Sequence, residues 1–340
     1  MTPVMQSAEL FLLAWLAFIA VGSLSSAVAV RAVGHRVARW EPRARHRALV
    51  LLTALPVLTA GAPMLSVTLP SLVALQLPAW DHCATHNHGH PHLCFVHLPK
   101  VEMNTAFVLL LVVVVGYALL RMAFASARVA RAIRILGVLA LSGERRRDLG
   151  VTIIETSQPL CLAAGLFRPH VLLSRGLLEA LTTEERAVVL AHERAHVRRR
   201  DALVASVVRV LAALHFRSVA RWLVREIDVA AEQACDEEAG KLVGDRVAVA
   251  SAILAVERAA QHTAAEPLAL VAVAFGQRAA ERRVEPLLAE RRVESLLAEP
   301  GPPRSLATLV AGLGAMTVFV LAASGELHHL VESVLSFVAY

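Results

Sequence analysis

Apolar residues fall into four long, nearly uninterrupted runs. The first, 10–30, is too long for a signal-peptide core. Arg31, Arg36 and Arg39 follow it in place of a small-residue cleavage site, as for a retained anchor. The second, 48–77, contains Pro56, Pro63 and Pro70, which predict a kinked or broken helix. The third is 105–125 and the fourth 306–323. Each reaches the roughly 18–20 residues that cross a hydrocarbon core, so the pattern predicts four transmembrane helices.

Between 126 and 304 the pattern changes. Short apolar runs at 151–155 and 170–173, punctuated by Gly165 and Pro169, read as strands. Thr182 or Thr183 can cap a helix over 184–199, with Glu184 and Glu185 in its first turn. Further helices are predicted over 202–215 and 219–240. This region reads as a mostly helical α+β domain with a small sheet. The chain thus divides into a membrane domain (1–125), a soluble domain (126–304) and a last span with a short tail (305–340).

Basic residues give the topology. The link between the first two runs holds Arg31, Arg36, Arg39, Arg43, Arg45 and Arg47, and the third run is followed by Arg128, Arg131, Arg134 and Arg145 to Arg147. The loop 78–104 has Lys100 alone. Positive residues stay on the cytoplasmic side, so both termini and loop 78–104 are expected outside and 126–304 in the cytoplasm. Cys83 and Cys94 then fall outside, where a disulfide can persist, and Cys161 and Cys235 fall inside, where thiols stay reduced.

Composition agrees. Of 340 residues, 56% are hydrophobic and 18% charged, which excludes a disordered chain and fits a membrane protein carrying a soluble domain. The net charge of +6 rests almost wholly on arginine, a coding bias. No helix-turn-helix, zinc finger or aromatic-interleaved basic patch accompanies it, so direct nucleic-acid binding is not expected.

Two clusters bear chemistry. Loop 78–104 carries His82, His86, His88, His90, His92 and His97 beside Cys83 and Cys94, a tract able to bind zinc, copper or nickel. A polar loop with one disulfide is the plainer alternative. In the soluble domain, His192-Glu193-Arg194-Ala195-His196 is an H-E-x-x-H motif on a predicted helix. Its two imidazoles share a face and can grip one zinc ion, with Glu193 placed as general base. Downstream, Glu232 and Asp236 stand four apart on another predicted helix. Glu232 would complete a His-His-Glu set with one open vertex, and Asp236 could orient a ligating imidazole.

Residues 151–240 resemble the zinc-metallopeptidase domain of the BlaR/MecR-type membrane sensor-transducers, of the gluzincin group. The resemblance runs through Gly165-Leu166-Phe167-Arg168-Pro169, Val171-Leu172-Leu173-Ser174, Leu177-Leu178, Leu190 to His196, Arg199 to Asp201, His215-Phe216 and Glu232 to Asp236. It implies a zincin-like fold, zinc on His192, His196 and Glu232, Glu193 as catalytic base, Asp236 behind a ligand, and a structural or ligand-orienting role for Asp201. It further implies a bacterial inner (plasma) membrane setting. The chain departs from the family at Arg217-Ser218-Val219, where an Asn-Pro pair is usual. A penicillin-binding domain follows the last span in the beta-lactam sensors, whereas 325–340 is all that follows here, so beta-lactam sensing is not expected.

Peptide hydrolysis also needs an oxyanion-stabilising group. Tyr117 and Tyr340 lie in or beyond spans, leaving His170 and His215 as weak candidates. The run 170–173, if at a sheet edge, could align an extended substrate. The repeat RRVEPLLAE (282–290) and RRVESLLAE (291–299) reads as a duplication without special function, or a flexible linker into the fourth span.

The expected function is a membrane-anchored zinc endopeptidase in signal transduction. Its substrate would be a cytoplasmic regulator, such as a transcriptional repressor, or the chain itself. The alternatives are a non-enzymatic metal-binding sensor and, less favoured, an intramembrane protease, since Arg194 and Arg198 to Arg200 crowd the motif.

Overall fold

A computed structural model of the protein describes residues 3–77, 105–261 and 285–298. It is mostly helical with one small mixed sheet. Three long helices come first: α1 (Pro3–Val37), α2 (Pro42–Gln76) and α3 (Thr105–Ser142). Each contains a stretch long and apolar enough to cross a membrane, namely Ala8–Ala32, Pro42–Leu65 and Val108–Ser142. Leu109, Val113, Leu120 and Phe124 of α3 are exposed, an arrangement suited to lipid.

The three prolines do not break α2, which runs unbroken to Gln76. Pro56 has no N–H for the Leu52 carbonyl four residues back. Ser26 of α1 reaches that carbonyl instead, at 3.3 Å. Thr59 Oγ1 donates toward Phe18 O of α1 at 3.1 Å. The α1–α2 contact thus satisfies the Leu52 carbonyl that Pro56 frees. Gly22 permits this closeness, because a Cβ there would lie 2.2 Å from Thr59 Oγ1 and 2.6 Å from Pro56 Cα.

The sheet has the order β1-β2-β4-β3, with β1 (Glu144–Arg146), β2 (Val151–Ile154), β3 (Cys161–Ala164) and β4 (His170–Ser174). β2 and β4 pair in parallel, and the outer two strands pair antiparallel to them. The segment 170–173 is therefore an inner strand, paired on both sides, and cannot offer a free edge as the sequence reading allowed; β3 is the edge beside it. β3 and β4 form a hairpin whose turn begins at Gly165, with φ of 97°, a conformation that suits glycine.

Helices cover the sheet. α4 (Arg175–Ala180) is capped by Ser174, and α5 (Thr183–Arg199) begins with a full capping box between Thr182 and Glu185. α6 (Asp201–Leu211) ends in a short 3-10 turn over Ala212–Leu214, so the expected helix to 215 stops early. α7 (Arg217–Val243) ends at left-handed Gly244, and α8 (Arg246–Gln261) and α9 (Glu285–Leu297) follow. Val151, Ile153, Val171, Leu173, Leu177 and Leu190 form one core. Val188, Ala239, Val249, Ile253 and Leu296 form another, between α5, α7, α8 and α9.

The domain is packed on the long helices rather than tethered to them. Leu49 of α2 shares a core with Val208, Val219, Leu223 and Ile227, and Ala27 and Val30 of α1 pack against it. The turn between α6 and α7 meets all three long helices. Phe216 N–H donates to Ser23 Oγ at 2.9 Å, His215 Nε2 donates to Thr53 O at 3.0 Å, and Arg121 Nη1 donates to His215 O at 2.8 Å.

Several sequence readings lie outside the described residues: loop 78–104 with Cys83, Cys94 and its six histidines, the fourth span at 306–323, and the start of the repeat.

Candidate metal centre

The site forms where α5 and α7 meet. On α5, four-residue spacing brings His192 and His196 together, with Nε2 atoms 3.1 Å apart and ring planes at 73°. α7 supplies Glu232, whose Oε2 lies 3.5 Å from His192 Nε2 and whose Oε1 lies 3.5 Å from His196 Nε2. Ligands held tetrahedrally at about 2.0–2.1 Å from one ion are themselves roughly 3.3–3.4 Å apart. The His–His separation and the distance from each histidine to its nearer Glu232 oxygen bracket that figure, so these side chains are placed to share one small divalent ion.

Each imidazole is backed by a carboxylate. His196 Nδ1 donates to Asp201 Oδ2 at 2.8 Å. His192 Nδ1 lies 2.9 Å from Asp236 Oδ1, an ion-pair contact whose alignment falls short of a regular hydrogen bond. Both rings thereby turn Nε2 toward the common centre, the orientation a metal-binding histidine needs. Asp201 reaches His196 through a local device: Arg200 adopts φ of 55°, closes α5 and opens α6, and so folds Asp201 back onto the preceding turn. Arg199 Nε also bonds Asp201, at 3.0 Å.

An arginine from outside the two motifs completes the arrangement. Arg292 of α9 donates through Nε and Nη2 to Asp236 at 2.8 and 2.7 Å, and its Nη1 lies 3.3 Å from Glu232 Oε2. The sequence reading missed it; the repeated Arg-Arg pair was the signal. The second copy is accordingly no idle linker, since α9 packs on α7 and α8. Glu193, beside His192, is nearly buried and makes no ion pair among the described residues.

The electrostatics follow from burial against pairing. Burial alone would lower His192, but Asp236, with help from Glu232, pushes it up to about 10. Burial would raise Glu232, but Arg292 and the two imidazoles hold it well below the usual carboxylate range. Asp236 is lowered against its burial by Arg292 and His192, and Asp201 against its own by His196 and Arg199. With neutral imidazoles, the carboxylates of Glu193, Glu232, Asp236 and Asp201 exceed the guanidiniums of Arg292 and Arg199 by two charges. A divalent cation would balance that excess.

His196, Asp201 and Cys235 also approach one another. They do not make a second centre. Asp201 is already taken by His196 and Arg199, and burial and Asp201 push the Cys235 thiol up, keeping it protonated. Of the weak oxyanion candidates, His215 is held by Thr53 O, and His170 is on β4 with Nδ1 3.3 Å from Arg168 O. Neither joins the His192–His196–Glu232 group.

Comparison with known proteins now bears on this geometry. The family described as BlaR1 peptidase M56 matches residues 84–287. A protease HtpX homolog from Salinibacter ruber is 31% identical over 149 residues, covering 35% of this chain and 54% of the relative. HtpX homologs from Thermoanaerobacter pseudethanolicus and Aquifex aeolicus are 44% identical over 66 residues and 40% over 76, covering 19% and 21% of this chain and 22% and 25% of their own lengths. The chain thus spans about half, or less, of the curated relatives it matches. No solved structure matches it significantly. The family match covers more than half of the chain, and the protein belongs to the BlaR1 peptidase M56 family.

Proposed function

We propose that the protein is a membrane-anchored zinc endopeptidase. The carrying observation is the approach of His192 Nε2 and His196 Nε2 at 3.1 Å, with Glu232 Oε2 3.5 Å from the first and Glu232 Oε1 3.5 Å from the second. In this reading His192, His196 and Glu232 hold the ion, Asp236 and Asp201 orient the two imidazoles, and the domain is zincin-like. Zinc bound there would act as a Lewis acid and lower the pKa of water toward about 7.

The protein's own groups do the rest. Glu193 accepts a proton from the attacking water and returns it to the departing amide nitrogen. β3, the sheet edge nearest α5, pairs with an extended substrate and sets the scissile bond against the site. A peptide is thus the fitting substrate class.

We read four spans from the apolar runs and a bacterial inner membrane from the family resemblance, and the charge pattern supports 126–304 in the cytoplasm with the termini and loop 78–104 outside. We read the activity as signal transduction: an outer event shifts the spans, and the inner domain cleaves a cytoplasmic regulator, such as a transcriptional repressor, or itself. The close fit of the His215–Phe216 turn against Ser23, Thr53 and Arg121 supports this coupling. An intramembrane protease is disfavoured, because α5 is not among the apolar spans.

The test compares the proteomes of cells carrying the parent and Glu193→Ala forms. A protein fragment present with the parent and lost in the variant is expected. Identical fragment patterns from both forms, in cells exposed to the activating condition, would contradict the reading.

A further inference from the structure

We propose that Arg292 is a positioning residue of the metal site, and that α9 is an integral part of the peptidase. The proposal rests on the reading of His192, His196 and Glu232 as ligands.

Asp236 and Glu232 stand one helical turn apart on α7, and one guanidinium spans both. Its fork, Nε and Nη2, lies on the two oxygens of Asp236 at 2.8 and 2.7 Å. Its remaining nitrogen, Nη1, lies 3.3 Å from Glu232 Oε2, the oxygen that also faces His192. Asp236 is 1% exposed, so water cannot hold its carboxylate in place. A bidentate guanidinium fixes both the charge and the plane of such a group. Fixing Asp236 fixes the partner of His192 Nδ1, and through the ring, the direction of Nε2. Lysine would supply charge without the fork.

The helix bearing Arg292 is docked by other contacts. Arg291 pairs with Glu226 at 3.2 and 3.1 Å, and its carbonyl accepts from Gln233 Nε2 at 2.8 Å. Leu296, 2% exposed, is buried with Val188, Ala239 and Val249. Arg246 Nη1 donates to Ala298 O at 3.1 Å. Adjacent arginines therefore have separate duties: Arg291 seats the helix, and Arg292 reaches the site. The nine-residue repeat offers a second Arg-Arg pair half a turn out of phase, so the two copies cannot both make this contact from one continuous helix.

The experiment uses the full chain in detergent micelles, with zinc affinity read by competition against a chelator and the site's geometry read from the visible spectrum of the cobalt(II)-substituted protein. His192→Ala first tests the ligand reading on its own. If it leaves zinc binding untouched, that reading falls, and the proposal with it. With that reading intact, Arg292→Ala is expected to weaken zinc affinity roughly 10–100-fold and to shift the cobalt spectrum. Arg146→Ala, on β1 at an exposed ion pair with Asp148 and away from α9, should stay within about threefold of the parent with an unchanged spectrum, and Arg292→Lys should behave like Arg292→Ala. Circular dichroism checks folding; should Arg292→Ala not fold, Arg292→Lys carries the measurement. Parent-like affinity and spectrum in the Arg292 variant, or an equal loss in Arg146→Ala, would overturn the proposal.

Discussion

Asp201 Oδ2 lies 2.8 Å from His196 Nδ1, although Asp201 begins a different helix from the one that carries the histidine. Left-handed Arg200 makes this possible, and its N–H still donates to His196 O and Val197 O. Asp201→Ala is expected to lower zinc affinity roughly 10–100-fold while leaving the fold intact. Arg200→Gly, which relieves the left-handed conformation, should keep parent affinity and melt no lower than the parent. Chelator competition and thermal melting check both; an Asp201→Ala protein with parent affinity would count against a ligand-orienting role.

The α1–α2 contact should depend on Gly22. Leucine there must displace Pro56 and Thr59, since a Cβ already falls 2.2 Å from Thr59 Oγ1. Gly22→Leu is expected to cost about 1–3 kcal/mol, read as a lower melting temperature in detergent. Gly61→Leu is the control, because a Cβ at Gly61 meets nothing within 4 Å. Equal melting of both variants would show that the helices do not pack as described.

Much of the site could be read from sequence because its key relations are local. The four-residue spacings of His192–His196 and Glu232–Asp236 carry their geometry with them on any helix. The union of the two pairs is nonlocal; the need for a third zinc ligand suggested it, and the resemblance supported it. Arg292 stayed hidden, because its partner Asp236 is 56 residues away and no helical period links them. The short run Cys161–Ala164 gave no alternation to mark it as a strand, so 170–173 was weighed as a possible edge while the actual edge strand β3 went unread. The prolines of α2 were read one helix at a time, whereas the Leu52 carbonyl that Pro56 frees is met by Ser26 from α1.

His215 makes stability depend on pH. Burial and the Arg121 charge lower its pKa, and its bond to Thr53 O only partly opposes them. The folded protein therefore binds this proton less readily than the unfolded chain. The neutral ring's contribution is full above the unfolded value of about 6.5 and is lost as pH falls below it. The melting temperature of the parent should drop between pH 7.5 and 5.5 by more than that of His215→Gln, which keeps a donor for Thr53 without the titration. Equal drops would contradict this.

Cys235 is fully buried, and its thiol is pushed up by burial and by Asp201. It should resist maleimide labelling at neutral pH in the folded protein and label readily in denaturant, as mass spectrometry of the Cys235 peptide would show. Rapid labelling in the native state would place it outside the core.

The central claim is that two imidazoles of α5 and one carboxylate of α7 hold a single ion. Zinc content per chain, measured by elemental analysis for the parent and for His192→Ala, His196→Ala, Glu232→Ala and Glu193→Ala, tests it most directly. The first three variants should each hold one equivalent less than the parent, and Glu193→Ala should hold as much as the parent while losing cleavage. A Glu232→Ala protein that retains the full parental zinc content would contradict the account.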